Sequence, residues 1–241
     1  MITVYWSPWY RDLNIYKENY LCYHDIDSVY SDLVKTKNEE NISDNFFNCY
    51  AFKDTLKNMY CLRNPYSIDV TYQNGRSFSN HPRKVGFDLA MTTLTKQSSV
   101  KNSLTINYCV NWIFFAEETL KIQTMHPWMH KTHLTDTAYY VPGSFDISQW
   151  FRPVEGAYQL FPGESTLKTN EGDPLMYVKF LTNEKIELKR FDLTQDLIDM
   201  SLSCTQLKNF KSFKGLDYLY KVFNKSLLRN KVLKEIKNNV I

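Results

Sequence analysis

The chain has 241 residues, 43% of them apolar and 23% charged, at a net charge of +3, which supports a real hydrophobic core and excludes a disordered chain. No run of 18 apolar residues occurs, the densest stretch from Tyr108 to Ala116 being broken by Asn111, so no membrane-spanning helix is expected. Met1-Ile2-Thr3-Val4-Tyr5-Trp6 has neither a basic stretch nor a cleavable apolar one and predicts no export signal.

Ile2, Val4 and Trp6 alternate with Thr3 and Tyr5, predicting an opening strand whose two sides differ in character. Asp27 or Ser28 caps a short predicted helix through Lys37, with Val29, Leu33 and Val34 inward, and Lys35 to Asp44 reads as a polar surface loop. Ser67 to Tyr72 alternates and ends at Asn74-Gly75, a dipeptide suited to the positive φ angles of a tight hairpin. Leu104, Ile106, Tyr108, Val110, Trp112 and Phe114 form a long period-two series, and Leu120 and Ile122 begin another strand. Turn signals at Pro142-Gly143, Pro162-Gly163, Glu171 to Pro174 and Thr182 to Glu184 then separate strands near 157–160, 165–169, 175–181 and 185–191. From Thr194 the period becomes helical: Leu197, Met200, Cys204 and Leu207 share a face. A second helix after Gly215 is expected to bury Leu216, Leu219, Tyr220, Phe223 and Leu227, and a kink or third helix near residue 228 accounts for Leu228, Val232 and Ile236 lying on another face.

Cys22, Cys49, Cys61, Cys109 and Cys204 are odd in number, widely spaced and without a CxxC pair, which reads as reduced, mostly buried thiols in a cytoplasmic protein. Ala occurs 5 times and Asn 20 times, a bias that follows AT-rich codons and implies a low-GC genome. Residues 205–241 carry a net charge of +7 and the remainder −4. Spread around helices that need an apolar stripe for docking, the tail lysines read as a solvated face, and no nucleic-acid partner is expected.

Three segments carry a resemblance: Cys49-Tyr50-Ala51-Phe52-Lys53-Asp54 with Lys57-Asn58, Pro142 to Pro153, and Gly172 to Phe180. Together they resemble an uncharacterised protein family of tailed marine phages, cyanophage-like, and more distantly a bacterial domain family of unknown function. The resemblance covers roughly residues 45 to 238, with Tyr50 where the pattern has Pro. It implies phage origin and a shared fold, and it brings no activity with it.

Candidate chemistry lies at three places. His126, His130 and His133 fall within eight positions; if Pro127 opens a helical turn, three imidazoles could meet a divalent metal with a position left open. Lys131 would set a cation beside that ion and the spacing matches no zinc signature, so the metal and cofactor expectation is none. Cys49 with His24 or His81 would make a nucleophile and base, against the alternative of a buried small hydrophobe beside Tyr50 and Phe52. Trp150 and Arg152, with Glu155, could frame a pocket edge where a guanidinium takes a carboxylate or phosphate; the alternative is that Arg152 pairs internally with Asp146 or Asp173. No GxSxG elbow, phosphate loop or dinucleotide fingerprint occurs, which disfavours the common hydrolase, nucleotide-binding and hydride-transfer classes.

The sequence therefore predicts a mainly β protein: an antiparallel β-sandwich, jelly-roll-like body over residues 1–192 with a short N-terminal helix, and a basic α-helical segment over 193–241 packed on it. Its expected role is that of a phage-encoded accessory or binding protein, non-catalytic and soluble, acting in the host cytoplasm with a host or phage protein as partner and no membrane. Two alternatives stay open: a cupin-like metal-dependent oxygenase or hydrolase using His126, His130 and His133, and a minor virion structural protein.

Overall fold

The structure is a computed structural model and describes residues 1–35, 46–73, 76–79, 96–97 and 103–241. The first part of the chain runs β1 (Ile2–Trp9), α1 (Leu13–Asn19), β2 (Asp27–Ser28), α2 (Val29–Lys35), α3 (Tyr50–Leu56), β3 (Met59–Arg63), β4 (Ile68–Gln73), β5 (Arg76–Ser79) and β6 (Lys96–Gln97). The middle runs β7 (Leu104–Ala116), β8 (Lys121–Met125), α4 (His133–Thr137), β9 (Ala138–Tyr140), β10 (Gly143–Asp146), β11 (Pro153–Leu160), β12 (Thr166–Thr169), β13 (Pro174–Phe180) and β14 (Ile186–Arg190). Three helices follow: α5 (Gln195–Phe210), α6 (Leu216–Lys225) and α7 (Leu228–Asn238).

These strands make three sheets. The first has the order β14-β1-β7-β11-β9 with β6 against β7, the second β10-β8-β13-β3-β2, and the third β12-β4-β5. Every described pairing is antiparallel except β1 with β14, where Ile2 to Trp6 run alongside Ile186 to Arg190. The long alternation of residues 104–114 thus builds β7, and the evenly spaced turns deliver short strands after it, antiparallel except for β14. Asn74 and Gly75 lie outside the described residues, as does the expected loop over 36–44; the strands on either side of the dipeptide pair from Gln73 and Arg76 outward.

Alternation decides what each sheet buries. Val4, Trp6, Ile106, Trp112 and Phe114 of the first sheet meet Leu62, Ile122, Met176 and Val178 of the second and Ile68, Val70 and Leu167 of the third in one apolar cluster. A fully buried side chain of this size contributes about 1.5–3 kcal/mol. The other face of the first sheet is buried too, so the two sides of β1 enter two different apolar clusters. Tyr5, Trp9, Ile113 and Phe115 are covered by Leu197, Ile198, Leu219, Phe223, Val232 and Ile236 of the C-terminal helices. On the outer face of the second sheet, Met59, Cys61 and Tyr177 lie under Val29 and Leu33 of α2 and Leu56 of α3.

The helices follow their caps. Ser28 Oγ accepts from Ser31 N at 3.1 Å and starts α2, whose inner face carries Val29, Asp32 and Leu33, while Val34 is exposed. Thr194 Oγ1 accepts from Leu197 N at the start of α5. The expected break near residue 228 separates α6 from α7, and α7 buries Val232 and Ile236. Leu216 and Leu227 were expected inside, but Leu216, the first residue of α6, is 43% exposed and Leu227, between α6 and α7, is 75% exposed, whereas Leu219 and Phe223 are buried. Among the described residues, no helix is long and apolar enough to cross a membrane.

Candidate binding cleft and a buried polar cluster

A turn and two helices create the first candidate site. In the turn after β10, the Asp146 carboxylate accepts from Ser148 N, Ser148 Oγ and Gln149 Nε2 at 2.9, 2.6 and 2.6 Å. The C-terminal helices grip this turn: Asn224 Nδ2 donates to Gln149 Oε1, Arg229 Nε to Ser148 O, and Asp146 N to the Tyr220 hydroxyl. Trp150, 3% exposed, packs its ring 6.0 Å from that of Phe223 and 6.5 Å from that of Tyr220. Between the turn, β8 to β10 and helices α5 and α6 lies a cleft of about 370 Å³, lined in part by Trp150, Arg152, Glu155, Lys208 and Tyr220.

Arg152 therefore does frame a pocket edge. Neither expected internal partner holds it: Asp146 is engaged by Ser148 and Gln149, and Asp173 Oδ2 accepts from Asn170 N at 2.8 Å. Among the described residues, Arg152 forms no ion pair, and its guanidinium lies 5.9 Å from the centre of the Phe145 ring. Burial, and then the neighbouring charge of Arg152, push the Lys208 ammonium below its ordinary pKa, with Glu155 opposing them. The cleft thus brings two cations together with one exposed carboxylate close by. The Trp150 indole Nε1 is buried with no hydrogen-bond partner among the described residues.

The histidines separate rather than converge. His126 Nδ1 accepts from Tyr140 N at 3.1 Å, burial holding its pKa below the ordinary histidine value. His133 is exposed in the first turn of α4, a helix capped at Thr132, because the chain after Pro127 makes a short turn and restarts its helix there. The His126, His130 and His133 triad that the enzyme alternative required is therefore not formed among the described residues. His130 instead joins residues distant in sequence: Asp32 on α2, Cys61 and Arg63 on β3, and Tyr177 on β13.

Arg63 Nη2 donates to Asp32 Oδ1, and Arg63 Nη1 donates to Gly172 O at 2.5 Å. His130 Nε2 lies 2.9 Å from Asp32 Oδ2, and His130 Nδ1 is 2.5 Å from the Tyr177 hydroxyl. Burial favours a protonated Asp32 carboxyl, but His130 and Arg63 outweigh it and hold the group below the usual carboxylate range. Burial pushes the Cys61 thiol up to about 12, with Arg63 partly opposing, so no thiolate nucleophile is poised there at neutral pH. Among the described residues, Asp32, Cys61 and His130 are the one set of three such side chains whose ligating atoms all lie within 4.8 Å of one another.

Cys49 departs from its expected burial. It is exposed at the N-terminal cap of α3, where the chain enters the helix from the surface, and it makes no capping hydrogen bond through its side chain. His24 is exposed and His81 lies outside the described residues. Cys61 and Cys204 are buried as expected.

One residue-level signal for the polar cluster is present in the sequence. Val29, Asp32 and Leu33 stand at i, i+3 and i+4, which places a carboxylate on the inward stripe of α2, where it needs a partner. Cys61 and Arg63, two apart on β3, share a face. Comparison of the chain with known protein families, with curated proteins and with solved structures finds no match.

Proposed function

We propose that this chain is a phage-encoded accessory protein that binds rather than catalyses, acting in the host cytoplasm, with the cleft at Trp150 and Arg152 as the seat for an anionic group of its partner. The observation that carries this reading is the guanidinium of Arg152, placed in a cleft beside Lys208 without a carboxylate in ion-pair contact among the described residues. An arginine set against an aromatic ring presents its fork to a carboxylate or phosphate bidentately. The three phage-like segments support the origin, and the second of them, Pro142 to Pro153, contains the turn that builds the cleft. The apolar cluster shared by the three sheets supports a jelly-roll-like sandwich as the body on which the helices pack. The metal-dependent enzyme alternative loses its proposed constellation with the separation of His126 and His133 from His130.

Thermal unfolding with inorganic phosphate or glutarate, matched for ionic strength with chloride, tests the reading. The wild-type midpoint rises with one of these anions and that of Arg152→Ala does not. Equal shifts in the two proteins, or none in either, would overturn the assignment of the cleft.

A further inference from the structure

We propose that Asp32, Cys61 and His130 bind one divalent transition-metal ion of the zinc type. This site is separate from the cleft and does not depend on its function. Three elements supply the donors, α2, β3 and the loop after β8, and the Cys61 Sγ, a ring nitrogen of His130 and a carboxylate oxygen of Asp32 lie within 4.8 Å of one another. A tetrahedral zinc site needs ligand atoms about 3.3–3.6 Å apart, so small shifts, opening the 2.9 Å between Nε2 and Oδ2 and closing any longer separation, would complete it.

The far ends of two donors, His130 and Asp32, are already held. The Tyr177 hydroxyl fixes Nδ1 of His130, and Arg63 occupies Oδ1 of Asp32, leaving Nε2 and Oδ2 to face one another. Outer partners of this kind set the tautomer and orientation of ligating imidazoles and carboxylates. Nε2 is buried 2.9 Å from Oδ2. Metal binding would replace the contact between Nε2 and Oδ2 by a bond from each donor to the ion, with any proton between them released.

Ligand chemistry selects the ion. A thiolate with an imidazole and a single carboxylate oxygen suits zinc, whereas magnesium and calcium require oxygen donors. Binding transfers the Cys61 thiol proton to solvent. The ion, the thiolate, the carboxylate and Arg63 then sum to one positive charge, which hydroxide or another anion in the fourth position neutralises. The ion would tie α2 and the His130 loop to the outer face of the second sheet.

Purified protein is equilibrated with Zn2+, dialysed and analysed for metal, with Cys61→Ala, His130→Ala, His126→Ala and His133→Ala alongside. One equivalent is expected in the wild type and in the His126 and His133 variants, with loss in the other two. Co2+ added to metal-free wild type is expected to give a thiolate-to-cobalt charge-transfer band, a readout that stands even where a variant fails to fold. Wild type holding well below one equivalent, a cobalt complex lacking that band, or full retention by folded Cys61→Ala would overturn the proposal.

Discussion

Arg63 on β3 donates to the carboxylate of Asp32 on α2, so a helix and the outer face of a sheet are joined by an ion pair whose side chains are 22% and 7% exposed. Removing one partner of such a pair strands the other charge where water reaches it poorly. In chelator-treated protein, Asp32→Ala is expected to lose about 2–4 kcal/mol in urea unfolding. The bond from Arg63 to Gly172 O and its partial exposure place the loss at the lower end of that range.

The same carboxylate predicts an acid dependence. Its folded pKa lies below the ordinary value, so its contribution is complete above the unfolded pKa of about 3.9 and is lost as pH falls through the folded one. Across that window the unfolded chain takes up the proton first, and stability falls with falling pH. Asp32→Asn, compared with wild type by chemical unfolding from about pH 5 downward, should show the shallower slope.

Arg152 gives the opposite expectation for stability. With no internal ion pair among the described residues, Arg152→Ala should change the unfolding free energy by less than about 0.5 kcal/mol. A loss above about 1.5 kcal/mol would show that the residue serves as an internal tie.

The tail's charge is expected to be a solvated face. Lys211→Glu, Lys214→Glu and Lys221→Glu together should leave the fold intact, as judged by circular dichroism, and retention on DNA in filter binding should be weak before and after. Sub-micromolar retention at physiological salt, lost in this variant, would identify a nucleic-acid surface instead.

Phe223 anchors the helical segment. It is 2% exposed, with its ring 6.4 Å from Phe115 and 6.0 Å from Trp150. Phe223→Ala should cost about 3–5 kcal/mol in urea unfolding. Limited proteolysis should then cut first between α5 and α6.

Local pattern made β7 readable, because Leu104 to Phe114 alternate over a length that few other conformations explain. It made Thr194 readable as a cap and residue 228 as a break for the same reason. It could not reveal that Tyr5 is buried, since the cover comes from helices that begin near residue 195. The cluster of Asp32, Cys61 and His130 is assembled from three segments whose separations carry no periodicity, whereas the crowded histidines of 126–133 invited a local reading that a short turn undoes. Arg152 was legible as a pocket residue from its aromatic neighbours; its lack of an ion pair among the described residues was not, because that depends on how Ser148 and Gln149 use Asp146.

The order β14-β1-β7 also governs when the protein can fold. As the chain leaves the ribosome, β1 is made first, yet its antiparallel neighbour arrives only with residues 104–116 and its parallel one only with residues 186–190. Until then Val4 and Trp6 belong to a strand with open edges and no core to enter. Contacts that span so much of the chain carry a large loop-closure cost and place folding among the slower, non-local topologies. The first sheet is thus a late assembly, and a nascent chain stalled before residue 186 would expose an apolar strand prone to pairing with its neighbours.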